Sequence, residues 1–125
     1  MTVLVDSDIL IEVSRGRDQS LVARWKELAA SDATVLYSAV SVAELWAGAR
    51  AGEEGSLTAL FESLVCVPVG PDTGRRAGQY LSRYRRSHGM ELGDALIAAS
   101  ATARGAALWT RNRRHYPMKD VRFFE

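Results

Sequence analysis

The stretch Val3-Leu4-Val5-Asp6-Ser7-Asp8-Ile9-Leu10 decides the fold of this chain. Three apolar residues followed by Asp6 and Ser7 predict a buried strand that gives way to a short helix capped by Ser7. In an open parallel α/β sheet, ligands and reactive groups collect at the carboxyl ends of the strands. Asp6 is therefore a candidate for the first residue of a functional site.

The composition of the 125 residues is typical of one ordinary globular domain, spanning residues 1–125. A net charge of +1 does not indicate a nucleic-acid partner. All basic residues except Lys26 and Lys119 are arginines, which genomic base composition explains as well as selection for phosphate binding does. The single cysteine, Cys66, lies in an apolar run and is predicted to be an inert core residue. No apolar run is long enough to cross a membrane and the start of the chain has no signal-peptide pattern, so we expect a cytoplasmic protein.

The chain alternates between strand-like and helix-like patterns from end to end. Strands are predicted at about residues 2–6, 33–38, 65–69 and 106–110, with a short fifth strand at 121–123. This alternation predicts an α/β fold with a central, mostly parallel sheet of four to five short strands and helices on both faces. The helix from Pro71 to about Ser87 carries several arginines among tyrosines, which fits either a solvated face or a surface that tracks an RNA backbone.

Glu44 follows the second predicted strand and has two interpretations. Ser41-Val42-Ala43-Glu44 matches a capping box, in which Glu44 would fold back onto the start of its own helix. Alternatively, Glu44 faces the same edge of the sheet as Asp6, provided that the first and second strands are neighbours. The sequence leaves both interpretations open.

Asp94 opens a small-residue helix, Asp94-Ala95-Leu96-Ile97-Ala98-Ala99, that could pack in the middle of the domain. A plain N-cap would explain an aspartate at this position, where the helix dipole favours negative charge. Capping does not explain why so apolar a helix brings its carboxylate toward the interior. Asp8 is a further carboxylate near Asp6, for which helix capping is the expected role.

Convergence of Asp6, Glu44 and Asp94 would require a compensating charge. Two carboxylates about 4 Å apart repel by about 4 kcal/mol at an effective dielectric near 20. Carboxylate oxygens suit Mg²⁺ or Mn²⁺, which retain water ligands. A metal held in this way can activate water and stabilise a leaving oxygen, so metal-dependent phosphodiester hydrolysis is the chemistry that fits best.

The motifs in order resemble those of PIN-domain nucleases, and most of all the VapC-type toxins of bacterial toxin–antitoxin pairs. The resemblance rests on Val5-Asp6-Ser7-Asp8-Ile9-Leu10, Ser41-Val42-Ala43-Glu44-Leu45, Gly93-Asp94-Ala95-Leu96-Ile97-Ala98-Ala99 and Thr110-Arg111-Asn112. It implies a three-layer PIN-like fold and an Mg²⁺- or Mn²⁺-dependent endoribonuclease. It also implies a homodimer and a VapB-type antitoxin whose tail fills the active-site groove, giving a heterotetramer or a larger complex.

The same resemblance assigns roles to individual residues. Asp6, Glu44 and Asp94 match the family's best-kept acids, and are expected to be catalytic and to bind the metal. Ser7 matches a supporting hydroxyl residue. The variable fourth acid falls at Asn112, which can still orient a metal-bound water as a catalytic residue, so the number of metal ions is left open. Supporting roles are also expected for Thr110 and for His115, which could move a proton near neutral pH, although a surface histidine in a turn explains it as well.

RNA contacts are expected from four arginines: Arg83, Arg86, Arg111 and Arg113. Two other functions are considered. The pair Asp6 and Asp8 fits a haloacid-dehalogenase-like phosphohydrolase, but the two lysines are badly placed for that chemistry. A non-catalytic RNA- or protein-binding module is the other alternative. A groove around Leu45 and Trp46, beside the arginine-rich helix, is expected to receive the antitoxin.

Overall fold

A computed structural model of the chain describes all residues, 1–125, as four strands and six α-helices. A short 3₁₀ turn, Arg113–His115, follows the last strand. In chain order the elements are β1 (Thr2–Val5), α1 (Ser7–Arg15), α2 (Gln19–Ala30), β2 (Thr34–Ser38), α3 (Ala39–Ala47), α4 (Glu54–Glu62), β3 (Val65–Val67), α5 (Pro71–His88), α6 (Leu92–Ala103) and β4 (Ala107–Trp109).

The four strands form one parallel sheet in the order β3-β2-β1-β4. β1 is therefore central, with β2 on one side, where Leu4 pairs with Leu36, and β4 on the other, where Val5 pairs with Trp109. The predicted fifth strand is reduced to one parallel bridge between Leu108 and Phe123. The predicted α/β fold is confirmed, and β1 and β2 are neighbours, as the functional interpretation of Glu44 requires.

Alternate residues of β1 bury their side chains on opposite faces of the sheet. Leu4 packs with residues of α5 and α6, whereas Val3 and Val5 pack with residues of α1, α2, α3 and α4. All three are fully buried, because a parallel sheet covered on both faces needs apolar side chains in both directions. The sheet thus forms the middle of three layers, with its carboxyl-terminal edge between the two helical layers.

The prediction for Cys66 was wrong, because this residue is exposed. β3 lies at the edge of the sheet, where only Val67 is buried and Val65 is 51% exposed. An apolar sequence run is compatible with a covered central strand or with a poorly covered edge, and the sheet order decides which applies. None of the helices combines the length and the apolar character needed to span a bilayer.

Candidate active site

Asp6 lies directly after β1 and is only 6% exposed. Its backbone N–H continues the sheet by donating to the carbonyl of Trp109 at 2.9 Å. Its Oδ1 accepts a 2.8 Å hydrogen bond from the backbone N–H of Ser7, so Asp6, and not Ser7 as predicted, is the N-cap of α1. The carboxylate is thereby fixed at the carboxyl end of the central strand.

Two buried hydroxyl groups donate to the second oxygen of Asp6. Thr110, just after β4, donates from Oγ1 to Asp6 Oδ2 at 2.7 Å. Tyr116, which follows the 3₁₀ turn, donates from its phenol to the same oxygen at 2.9 Å. Sequence reasoning missed Tyr116, because the ring is 2% exposed and its sequence position resembles that of any core aromatic residue. Only the fold shows that its hydroxyl reaches Asp6.

Glu44 does not cap its helix. α3 begins at Ala39, and Ser38 is its N-cap, with a side chain that accepts from the N–H of Val40. Of the two interpretations of Glu44, the capping box with Ser41 is therefore excluded. Instead, Oε1 of Glu44 accepts a 2.6 Å hydrogen bond from the hydroxyl of Ser7.

The hydroxyl of Ser7 links α1 to α3. Its oxygen lies 2.7 Å from that of Ser41, which is fully buried. Because the single hydroxyl hydrogen of Ser7 is directed to Glu44, Ser41 must be the donor in the bond between the two serines. Ser41 thus holds Ser7, which in turn holds the Glu44 carboxylate beside Asp6.

Asp94 is not the N-cap of α6: it lies in the first turn, where it forms a capping box with the N-cap residue Glu91. Its Oδ2 accepts from the backbone N–H of Glu91 at 3.2 Å. The neighbouring Gly93 brings α6 against Glu44, because a Cβ at Gly93 would lie 3.0 Å from Glu44 Oε2. Asp94 therefore reaches the same edge of the sheet as Asp6 and Glu44, where α6 packs tightly against the end of the Glu44 side chain.

The carboxylates share one electrostatic environment. Burial raises the pKa of Asp94, and the negative charge of Asp6 adds to this shift. Burial also raises the pKa of Tyr116, with further contributions from Asp6 and Asp94, so its phenol is a hydrogen-bond donor at any physiological pH. The ring of His115 lies beside Asp94, with Nδ1 3.8 Å from Oδ2 of that residue.

Asp8 was expected to cap a helix, but it contacts the loop after β4 instead. Its Oδ2 accepts from the backbone N–H of Arg111 at 3.0 Å and from Asn112 Nδ2 at 3.3 Å. The backbone N–H of Asn112 donates to Oγ1 of Thr110 at 3.0 Å. Burial, followed by the charge of Asp6, raises the pKa of Asp8 to about 6.

The four arginines expected to bind RNA differ in their surroundings. The guanidinium of Arg111 lies between Glu12 and Asp18, at 3.8 and 3.6 Å, and that of Arg113 pairs with Glu125 at 3.3 Å. Arg83 and Arg86 are exposed on α5, and neither forms a salt bridge.

The end of α5 that carries Arg83 and Arg86 lies toward the carboxylates. α5 and α6 run antiparallel, as shown by the hydroxyls of Tyr80 and Thr102, which are 3.3 Å apart. Only Gly89, Met90 and Glu91 separate the end of α5 from the start of α6. The last turns of α5 therefore lie at the end of the molecule that carries Asp94.

The donor set suits a hydrated divalent cation better than a fully coordinated ion. No three His, Cys, Asp or Glu side chains lie close enough together to enclose a metal ion. Mg²⁺ is usually held by one or two carboxylates and keeps several waters, so a looser arrangement fits it. The buried Oδ1 of Asp8 has no hydrogen-bond partner, which indicates an acceptor left for a ligand. Oxygen donors with no thiolate exclude the sulfur-rich sites typical of zinc.

A family model described as the PIN domain matches residues 3–122. The chain belongs to the PIN-domain family. Among curated relatives it is 42% identical to Ribonuclease VapC10 of Mycobacterium tuberculosis over 118 residues, covering 93% of this chain and 86% of that protein. It is also 37% identical to Ribonuclease VapC19 of the same organism over 122 residues, covering 92% of each.

A solved structure supports the same fold. The chain is similar to one in a crystal structure of VapBC2 from Rickettsia felis bound to a DNA fragment from its promoter, with a TM-score of 0.83 and 20% identity. The match covers 99% of this chain and 98% of that one. The predicted PIN-like fold and the resemblance to VapC proteins are confirmed.

Proposed function

We propose that this PIN-domain protein is an Mg²⁺- or Mn²⁺-dependent endoribonuclease that acts as the toxin of a toxin–antitoxin pair. The observation that carries the proposal is that Asp6, Glu44 and Asp94, from three separate elements, all lie at the carboxyl-terminal edge of the sheet. The relatives named Ribonuclease VapC10 and VapC19 support RNA as the substrate. The hydroxyls of Ser7, Thr110 and Tyr116 all donate to carboxylates of the site, which favours water as the nucleophile.

Asp6, Asp94 and Glu44 would hold the cation. When bound, such a cation polarises a phosphoryl oxygen and lowers the pKa of a bound water. The protein contributes orientation: Thr110 and Tyr116 fix Oδ2 of Asp6, and the Ser7 hydroxyl fixes Glu44. Burial of Asp6 and partial burial of Asp94 exclude bulk water and strengthen each of these interactions.

His115 and Asn112 are proposed to serve the reacting water and the leaving group. Nδ1 of His115 lies 3.8 Å from Asp94 Oδ2, a separation that a single water can bridge for proton transfer. Nδ2 of Asn112 is used by Asp8, so only its carbonyl oxygen is free to accept from a water.

A VapB-type antitoxin is the proposed partner, with the toxin as a homodimer in a heterotetramer or a larger complex. Two exposed apolar side chains lie on the helices that carry the acids: Trp46, 40% exposed, is on α3 with Glu44, and Leu92, 58% exposed, is on α6 with Asp94. Leu45 lines the cleft that also contains Ser7, Asp8 and Glu44, but it is only 3% exposed and offers little surface to an antitoxin. Loss of the complex in Trp46→Glu and Leu92→Glu variants that still fold would support docking at this surface.

Purified protein shown to be free of antitoxin should cleave RNA into discrete fragments with Mg²⁺ or Mn²⁺, and leave RNA intact with EDTA. Asp94→Asn should abolish cleavage yet fold normally, because asparagine retains an oxygen that can accept from the N–H of Glu91. Glu27→Gln, an exposed acid of α2, is the matched control and should cleave normally. Intact RNA in every reaction, or equal cleavage by Asp94→Asn, would contradict the proposal and leave a non-catalytic binding module.

The haloacid-dehalogenase-like alternative has no support in the structure. Its mechanism needs a lysine at the phosphorylated aspartate, whereas the contacts of Asp6 are Ser7, Thr110 and Tyr116. Both lysines are exposed away from these contacts, Lys26 on α2 and Lys119 near the end of the chain.

A further inference from the structure

We propose that Asp8 is a fourth carboxylate of the cation-binding centre, and that Asn112 is its positioning residue. This inference rests on the proposed function and adds to the residues expected to bind the metal. Directly after β4, the residues Thr110, Arg111 and Asn112 include no acid, so this loop provides no carboxylate to the site. α1 provides one instead.

One oxygen of Asp8 accepts hydrogen bonds from two residues near the C-terminal end of the chain. Oδ2 accepts from the N–H of Arg111 at 3.0 Å and from Nδ2 of Asn112 at 3.3 Å. These residues lie 103 and 104 positions away along the chain. Two donors on one oxygen fix the carboxylate plane, and so fix the direction of the other oxygen.

The other oxygen, Oδ1, is buried and has no hydrogen-bond partner. It is the one buried side-chain nitrogen or oxygen of the chain left without one. Leaving such an acceptor unpaired costs about 1–3 kcal/mol, and more when it is charged. Asp8 lines a cleft of about 470 Å³ together with Ser7 and Glu44, so only a small shift of its side chain is needed to bring this acceptor to a ligand in the cleft.

The charges around Asp8 are also incomplete. Asp6 and Asp8 both lie at the start of α1, so two carboxylates are close together there. The guanidinium of Arg111 is turned toward Glu12 and Asp18, and no side chain forms a salt bridge with Asp8. A bound cation, or a water coordinated to it, would supply the missing positive charge and a partner for Oδ1.

The identity of residue 112 agrees with this assignment. An aspartate there would direct a second negative charge at Oδ2 of Asp8, whereas the Asn112 amide donates to it. Asn112 therefore acts through Asp8, and its removal should weaken cation binding only while Asp8 is present.

Calorimetric titration of metal-free protein with Mn²⁺ tests the proposal without relying on cleavage. Asp8→Asn should weaken Mn²⁺ binding about tenfold or more, and Asn112→Ala by a smaller factor. The double variant should bind no more weakly than Asp8→Asn alone. Glu27→Gln is the control and should bind as the wild type does. Wild-type affinity in Asp8→Asn, or additive losses in the double variant, would overturn the proposal.

Thermal unfolding with and without Mn²⁺ separates a ligand from a structural link. If Asp8 is a ligand, saturating Mn²⁺ should raise the unfolding temperature of Asp8→Asn by less than it raises that of the wild type. If Asp8 serves only to tie α1 to the loop after β4, the variant should unfold at a lower temperature and bind Mn²⁺ normally. Failure of the proposed function is distinct: the wild type itself would not bind Mn²⁺, and Asp94→Asn would make no difference.

Discussion

The phenol of Tyr116 donates a 2.9 Å hydrogen bond to Oδ2 of Asp6, joining the loop after β4 to the end of β1 inside the protein. Thr110 donates to the same oxygen and the backbone N–H of Ser7 donates to Oδ1, so Asp6 has three neutral donors and no basic partner. Neutral donors fix the orientation of the carboxylate without cancelling its charge, which remains available to a cation.

Tyr116→Phe tests the importance of this bond. The ring still fills its buried position and Oδ2 keeps its bond from Thr110, so we expect the free energy of unfolding to change by no more than about 1 kcal/mol. RNA cleavage should fall about tenfold in kcat with little change in KM, because Asp6 loses orientation and not substrate contacts. Steady-state cleavage and urea unfolding of the same preparations measure both, and unchanged kcat would show that Thr110 alone suffices.

Gly93→Ala should separate activity from stability. The new methyl group would lie 3.0 Å from Glu44 Oε2, so the carboxylate must move away from its position beside Asp94. Alanine favours a helix over glycine by about 0.5–1 kcal/mol, so the variant should be no less stable while it loses activity.

Gly74→Ala in α5 is the matched control for this substitution, because a Cβ there meets no atom within 4 Å. It should gain stability and keep full activity. Circular dichroism during heating and an RNA cleavage assay compare the two variants. Full activity of Gly93→Ala would show that Glu44 is not needed at its present position.

The stability of the metal-free protein should depend on the titration of Asp8. Its pKa is raised from 3.8 to about 6 in the folded state, so the folded protein binds more protons than the unfolded chain between those values. Its contribution therefore favours folding at low pH and is lost as the pH rises through about 6. The melting temperature of Asp8→Asn should exceed that of the wild type at pH 7.5 in EDTA, with the difference vanishing near pH 4. A constant difference across this range would contradict the shift.

RNA binding should depend more on the unpaired arginines of α5 than on the arginine paired with Glu125. Arg83→Ala with Arg86→Ala should weaken binding and reduce the slope of log affinity against log salt by about 0.7 for each phosphate that is no longer neutralised. Arg113→Ala should have a smaller effect because Glu125 already neutralises that charge. Fluorescence anisotropy with single-stranded RNA in EDTA, over a salt series, measures both. Equal slopes for wild type and the double variant would place the RNA elsewhere.

The sequence was informative where local pattern and chemistry coincide. The apolar run before Asp6, the alternation of strands and helices, and the order of the acidic motifs predicted a parallel α/β sheet and the PIN-domain resemblance. The sequence was misleading about which residue is the N-cap of a helix. Aspartate and serine serve equally well as N-caps, and Asp6 and Ser7 are adjacent. Backbone geometry alone selects among them, as it selected Ser38 over Ser41 for α3.

By itself, then, the sequence predicted the family and the class of fold, which are confirmed, and named the three acids that are proposed to begin the site. Only the tertiary structure decided what surrounds them: Tyr116 on Asp6, Ser41 behind Ser7, Gly93 against Glu44, and Asp8 held by Asn112. Each of these contacts joins residues that are far apart in the chain. Periodicity and propensity report on neighbours within a few positions, whereas hydrogen bonds across the end of a sheet depend on strand order and helix placement.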